Sequence, residues 1–392
     1  MDPRKNPFAP GAGTQPPELA GRSGILTDAE VALARTKGGK GKSALLLGLR
    51  GVGKTVLLYK VAEIAQSCGC VPIALEAPED QRLAQMLVPP LRAALFKLSA
   101  SQKAAQHAKA GLGVLRAFAS VFQAKVGDVE FGVKPELGTA DSGNLEHDLA
   151  ELLAVVAEAA QRGGSGLALF VDEMQYLNRE DLSALIVAVH KVGQRGLPFV
   201  LFGAGLPQLA ALAGEAKSYA ERLFDFPDIG PLTSEAAAEA IKMPLTRENV
   251  KIDAKALEFI VTKTRGYPYF LQEWGYQIWN VANGSPITLA DAKLATLRAL
   301  ARLDFGFFKV RFDRLTPKEK GYMRAMASLG PGPHRSGDIA GALDKSVKAV
   351  APLRDGLIKK GMIFSPQHGD TAFTVPMFDE FMQRAIPSEA TR

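Results

Sequence analysis

Cysteine is scarce in this chain of 392 residues: two in all, Cys68 and Cys70, with one residue between them. So few thiols exclude a disulfide-stapled scaffold. A metal site built on them would need further ligands, so the pair reads as reduced, structural thiols in a cytoplasmic protein. No apolar run approaches the length of a membrane span. The first twenty residues hold five prolines and two glycines but no apolar core of the kind a secretory signal carries, which reads as a flexible N-terminal arm, 1–20. There is no internal repeat and no long low-complexity segment. What is present, 47% hydrophobic residues in a chain of this length, is the composition of a globular protein of two or three domains.

The net charge of +6 is unevenly placed. From residue 306 to the end, fourteen Lys/Arg face nine Asp/Glu, so nearly all of the excess sits in the C-terminal part. Attraction to polyanions, if any, belongs there.

Residues Gly48, Leu49, Arg50, Gly51, Val52, Gly53, Lys54 and Thr55 fit the pattern G-x-x-x-x-G-K-[ST]. Their context suits it: 43–47 reads as a short buried strand, and 56–66 as a helix with Leu57, Leu58, Val61 and Ile64 on one face. In such a turn successive backbone N–H groups wrap phosphates, and the helix N-terminus adds partial positive charge. Lys54 is expected to reach the β- and γ-phosphates of ATP and the Thr55 hydroxyl to ligate Mg²⁺. The nearby Gly41-Lys42-Ser43 is a decoy, because Thr36 stands where the first glycine belongs and a strand follows it.

Apolar β-rich runs then alternate with helical patterns, the signature of a parallel sheet wrapped by helices. Strands are expected at 44–47, 71–75, 167–171, 199–202 and around 224–229. An insertion at about 98–142 contains an Ala-rich helical stretch and an alternating segment, 126–133, that reads as a small hairpin. The run Leu167–Val171 ends in Asp172 and Glu173. An acid at such a strand tip can hold a magnesium hydration shell, as Asp172 would, while Glu173 is placed to polarise the attacking water. From 234 to about 304 strand signals vanish and the pattern is that of a helical bundle. Beyond it, Thr316 caps a helix that starts at proline.

The two motifs together resemble the AAA+ and STAND branches of the P-loop ATPases, and the overall likeness is to prokaryotic origin-recognition-like proteins of that type. The resemblance implies an α/β ATPase domain (21–233), an α-helical lid (234–304) and a C-terminal winged-helix domain (305–392), with MgATP held between sheet and lid. It places Arg22, in Gly21-Arg22, near the adenine, although the usual acid shortly after it is missing. It makes Arg222 a candidate arginine finger for a neighbouring subunit in a homo-oligomer; a surface ion pair is the alternative. Gly266-Tyr267-Pro268 is similar to the G-x-P element in which Pro268 packs on the base, or it is simply a turn opening a helix. The family also carries a polar sensor residue after the fourth strand, where this chain has Gly203-Ala204-Gly205. Gln175 offers a partial substitute.

At the C-terminus, helices at 316–329, 336–343 and 347–360 precede a strand pair, 362–364 and 372–375, which is the winged-helix order. Lys345, Lys348, Arg354, Lys359 and Lys360 lie on or beside the third helix, where each can neutralise a phosphate of double-stranded DNA. A basic face that docks a protein partner is the alternative. The aromatic run 305–312 reads mainly as a seam between lid and winged helix, and Trp274, Tyr276 and Trp279 as lid core. The expectation is therefore a cytoplasmic, slow ATPase with no membrane association, whose nucleotide state governs domain arrangement or assembly. Its rivals are a signalling switch whose winged helix binds protein and a nucleotide-binding scaffold without turnover.

Overall fold

The structure is a computed structural model that describes residues 1–11, 13–78, 81–124, 132–367 and 369–386. Contacts divide it into two units, one of Arg22–Gly48 and Lys54–Ile229, the other of Met1–Gly21, Leu49–Gly53 and Gly230–Arg392.

The first unit is a P-loop-type α/β layer structure. Strands β1 (Ser43–Leu47), β2 (Cys70–Glu76), β3 (Gly166–Asp172), β4 (Phe199–Gly205) and β5 (Phe224–Asp225) form one sheet in the order β2-β3-β4-β1-β5. Every pairing is parallel. Parallel neighbours need a crossover, and helices supply it: Lys54–Ser67 after β1, Leu145–Arg162 before β3 and Arg179–Gln194 after it. β3 and β4 are buried at every residue, which is why their sequences are unbroken apolar runs and not alternating ones. Phe170 and Phe202 face each other in register and stack with ring centroids 5.7 Å apart.

All five strands lie where the apolar runs placed them. One helix of this unit, Leu83–Ser99, does not announce itself, because Pro89 and Pro90 sit inside it. The Ala-rich stretch forms Ala105–Val121, packed on the preceding helix. The alternation at 126–133 falls almost wholly outside the described residues. Cys70 is buried, with its thiol 3.8 Å from the Leu33 carbonyl, and both cysteines are free.

The second unit is mostly helical. Ser234–Arg247, Ala254–Thr264, Pro268–Val281 and Leu289–Arg302 pack around the buried Trp274, Ile278 and Trp279. The residues expected to form a flexible arm are engaged here. Phe8 is 2% exposed, and the Trp279 indole N–H donates to the Asp2 carbonyl at 2.8 Å. A Cβ built on Gly275 would lie 2.4 Å from the Phe8 ring, so only glycine leaves that socket open.

The helical rod continues through Leu303–Phe308 and Lys309–Asp313. Thr316 and Glu319 then form a capping box on Pro317–Ser328. The helices Ser336–Ala342 and Val347–Lys359 follow, with a small antiparallel sheet of β6 (His334–Arg335), β7 (Ile363–Phe364) and β8 (Asp370–Phe373) in the order β6-β8-β7. A last helix, Phe378–Ala385, is held by the aromatic run: Phe308 stacks on Phe381 at 5.3 Å and meets Phe378 edge-on at 5.7 Å. Phe305, by contrast, is 78% exposed and takes no part in that seam. Among the described residues no helix is long and apolar enough to cross a membrane.

Candidate functional site

The loop between β1 and its helix is seated on the end of β4, where the Gly48 N–H donates to the Gly205 carbonyl at 3.1 Å. Gly51 and Gly53 have φ of +85° and +93°. Side chains rarely adopt that backbone, so the two inner glycines are there to let the loop turn. Lys54 opens the helix and is buried, and its ammonium donates to the Gly48 carbonyl at 2.9 Å across the mouth of the loop.

Thr55 and Asp172 are 117 positions apart in sequence, yet the Thr55 hydroxyl donates to Asp172 Oδ2 at 2.5 Å. The other carboxylate oxygen of Asp172 accepts the Glu173 N–H at 2.8 Å. Burial pushes the Asp172 carboxyl above the usual aspartate range, against the pull of these two hydrogen bonds. Glu173 follows in a left-handed conformation, φ 52° and ψ 37°, which a non-glycine residue holds only where its surroundings fix it. Two hard oxygen donors side by side fit a magnesium ion, which takes one or two protein oxygens and completes its shell from water and phosphate.

Arg22 is buried. Burial lowers its guanidinium below the usual arginine range, with Asp228 opposing that shift. Arg222 is exposed on the short helix Ala220–Leu223 and enters no ion pair among the described residues.

In the second unit, the middle of the loop meets two partners that sequence reasoning did not single out. The Tyr269 N–H donates to the Gly51 carbonyl at 3.2 Å, and the Arg50 N–H donates to the Thr374 carbonyl at 3.2 Å. Tyr269 directly follows Pro268, which opens the helix Pro268–Val281, and its ring stacks on Phe307 at 4.7 Å. Its place right after a G-x-P turn was the available signal. Thr374 carried none. Gly266 has φ +70°, and a Cβ there would lie 2.3 Å from the Leu232 carbonyl oxygen.

The basic candidates of the C-terminal region separate into two groups. Lys345, Lys348 and Lys359 are exposed. Arg354 turns inward, donating to the Thr371 hydroxyl at 3.0 Å and the Asp370 carbonyl at 3.1 Å. Lys360 pairs with Glu319 at 2.8 Å.

Comparison with known proteins bears on this geometry. Residues 18–202 match the family model described as AAA ATPase domain. Residues 305–382 match one described only as a domain of unknown function, DUF8462. No curated protein matches the chain. Among solved structures, a Walker-type ATPase of Pyrococcus abyssi is similar in fold, with 17% identity over 94% of this chain and 97% of that one and a TM-score of 0.62. The Thermotoga maritima RuvB Holliday junction branch migration motor matches at 16% identity, over 92% and 96% of the chains, with a TM-score of 0.47. Orc1 of Aeropyrum pernix, solved with DNA, matches at 14% identity over 94% of each chain, with a TM-score of 0.48.

Proposed function

We propose, on the premise of a segment that matches an AAA ATPase domain, that the protein binds MgATP and hydrolyses it to ADP and phosphate. The observation that carries this reading is the 2.5 Å bond from Thr55 to Asp172, which joins the phosphate-loop threonine to the strand-tip acid. The loop amides from Gly51 to Thr55 and the Lys54 ammonium are the proposed phosphate ligands, and Arg22 and Pro268 the residues proposed for the base. Thr55 and Asp172 hold Mg²⁺, which supplies charge neutralisation when bound. In the reaction, a water oxygen bonds to the γ-phosphorus as the bond to the β–γ bridging oxygen breaks, and the water proton passes to the Glu173 carboxylate.

The chain is read as an ATPase domain (21–233), a lid (234–304) and a winged helix (305–392), similar to origin-recognition-like AAA+ and STAND proteins. Double-stranded DNA is the proposed partner of the winged helix, through Lys345, Lys348 and Lys359. Arg354 and Lys360 are occupied by the fold and serve it instead. Arg222, which enters no ion pair among the described residues, is proposed to act in trans on the nucleotide of a second copy. The competing reading, a slow switch whose C-terminal region docks protein, draws support from the Thr374 carbonyl bound to the Arg50 amide. That contact ties the C-terminal region to the phosphate loop itself.

Nucleotide titration and turnover measurements test the proposal. Lys54→Ala should abolish ATP binding, and Glu173→Gln should bind ATP while turning over at least about 100-fold more slowly. Hydrolysis at the normal rate by Glu173→Gln would remove the proposed base.

A further inference from the structure

The side chain of Gln175 is used at both ends. Its amide nitrogen donates to Glu173 Oε2, and its amide oxygen accepts the Leu206 N–H at 3.0 Å. The amide orientation follows from its neighbours: reversed, it would set an oxygen against a carboxylate and an NH₂ against an N–H. Leu206 directly follows β4, the strand whose Gly205 carbonyl accepts the Gly48 N–H. Gln175 thus ties the Glu173 carboxylate to the strand end on which the phosphate loop sits.

Two glycines make room for this arrangement. A Cβ on Gly205 would lie 2.8 Å from the Gln175 amide oxygen, and one on Gly203 would lie 2.1 Å from the Met174 sulfur. The strand carries no polar side chain at its end because the turn after β3 has filled that volume with Met174 and Gln175. The Glu173 side chain has three free torsions, and its strained backbone is followed by the 3₁₀ turn Met174–Tyr176. The hydrogen bond from the Gln175 amide is what fixes the direction of that carboxylate.

We propose that Gln175 is a positioning residue for hydrolysis: it fixes the Glu173 carboxylate through Oε2 and leaves Oε1 to take the proton of the attacking water. This rests on the reading of Glu173 as the base. The two bonds of its side chain go to Glu173 and Leu206, so it acts through Glu173, and its removal lowers kcat and leaves binding alone.

Steady-state and single-turnover ATP hydrolysis by the full chain tests this. Gln175→Ala should lower kcat about 10- to 100-fold, with KM and ATP affinity unchanged and only a modest drop in melting temperature from the Leu206 N–H that loses its acceptor. Gln175→Glu keeps the size but loses the donor and sets two carboxylates together, so it should be no more active than Gln175→Ala. In a Glu173→Gln background, Gln175→Ala should cost nothing further, because both changes remove the same function. The proposal is overturned if Gln175→Ala hydrolyses at the wild-type rate, if its loss of kcat comes with lost ATP affinity, or if the same factor is lost again in the Glu173→Gln background. Absence of turnover in the wild-type protein would instead sink the hydrolysis reading, and this inference with it.

Discussion

At the scale of single residues, two buried positions give direct tests. Gly266 combines a left-handed backbone with a carbonyl oxygen 2.3 Å from where a side chain would begin. Gly266→Ala should therefore cost about 1–3 kcal/mol, seen as a lower melting temperature. Glu273 is buried against Gln277 and near Arg302. Burial pushes its carboxyl above the ordinary 4.5, against the pull of both neighbours. A raised folded-state value means that the folded chain binds this proton more tightly than the unfolded chain. The contribution to stability is therefore full below 4.5 and is lost as pH rises through the window above it. Glu273→Gln still offers an oxygen to Gln277 but cannot ionise. The variant should gain on the wild type as pH rises from 4.5 to neutral. Melting curves that stay parallel across that range would refute the assignment.

At the scale of elements, what could be read from sequence was whatever is encoded locally. The phosphate loop, the strand ending in Asp172 and Glu173, and the helix capped at Thr316 each carry their residue types within a few positions. The helix Leu83–Ser99 was hidden by Pro89 and Pro90, which usually end helices. β6 is two residues long and exists only through pairing with β8, so no run of residues announces it. Neither did sequence indicate that Arg354 would turn inward, since that depends on β8 lying beside it. The aromatic run was legible as a seam, but which ring points where depended on the last helix, Phe378–Ala385. Phe308 is the ring that joins them. Phe308→Ala should cost about 3–5 kcal/mol, with faster hydrogen exchange in Phe378–Ala385 and in Pro268–Val281. Unchanged protection in both helices would show that the seam is not held there.

At the scale of the whole molecule, two functional consequences are measurable. If Arg222 acts in trans, turnover per subunit rises with protein concentration in the wild type and is low and flat in Arg222→Ala, a loss of about 10³-fold or more at saturation. If Lys345, Lys348 and Lys359 contact DNA, replacing each by glutamine lowers the slope of log affinity against log salt by about 0.9. A slope indifferent to all three would favour the protein-docking alternative. The Phe8 socket bears on how the protein should be handled. A proline-rich leader looks dispensable to anyone trimming a chain for expression. Cutting away the first nine residues would instead open an oily slot beside Trp279 and Gly275, and the shortened protein should clump on warming well before the intact one does.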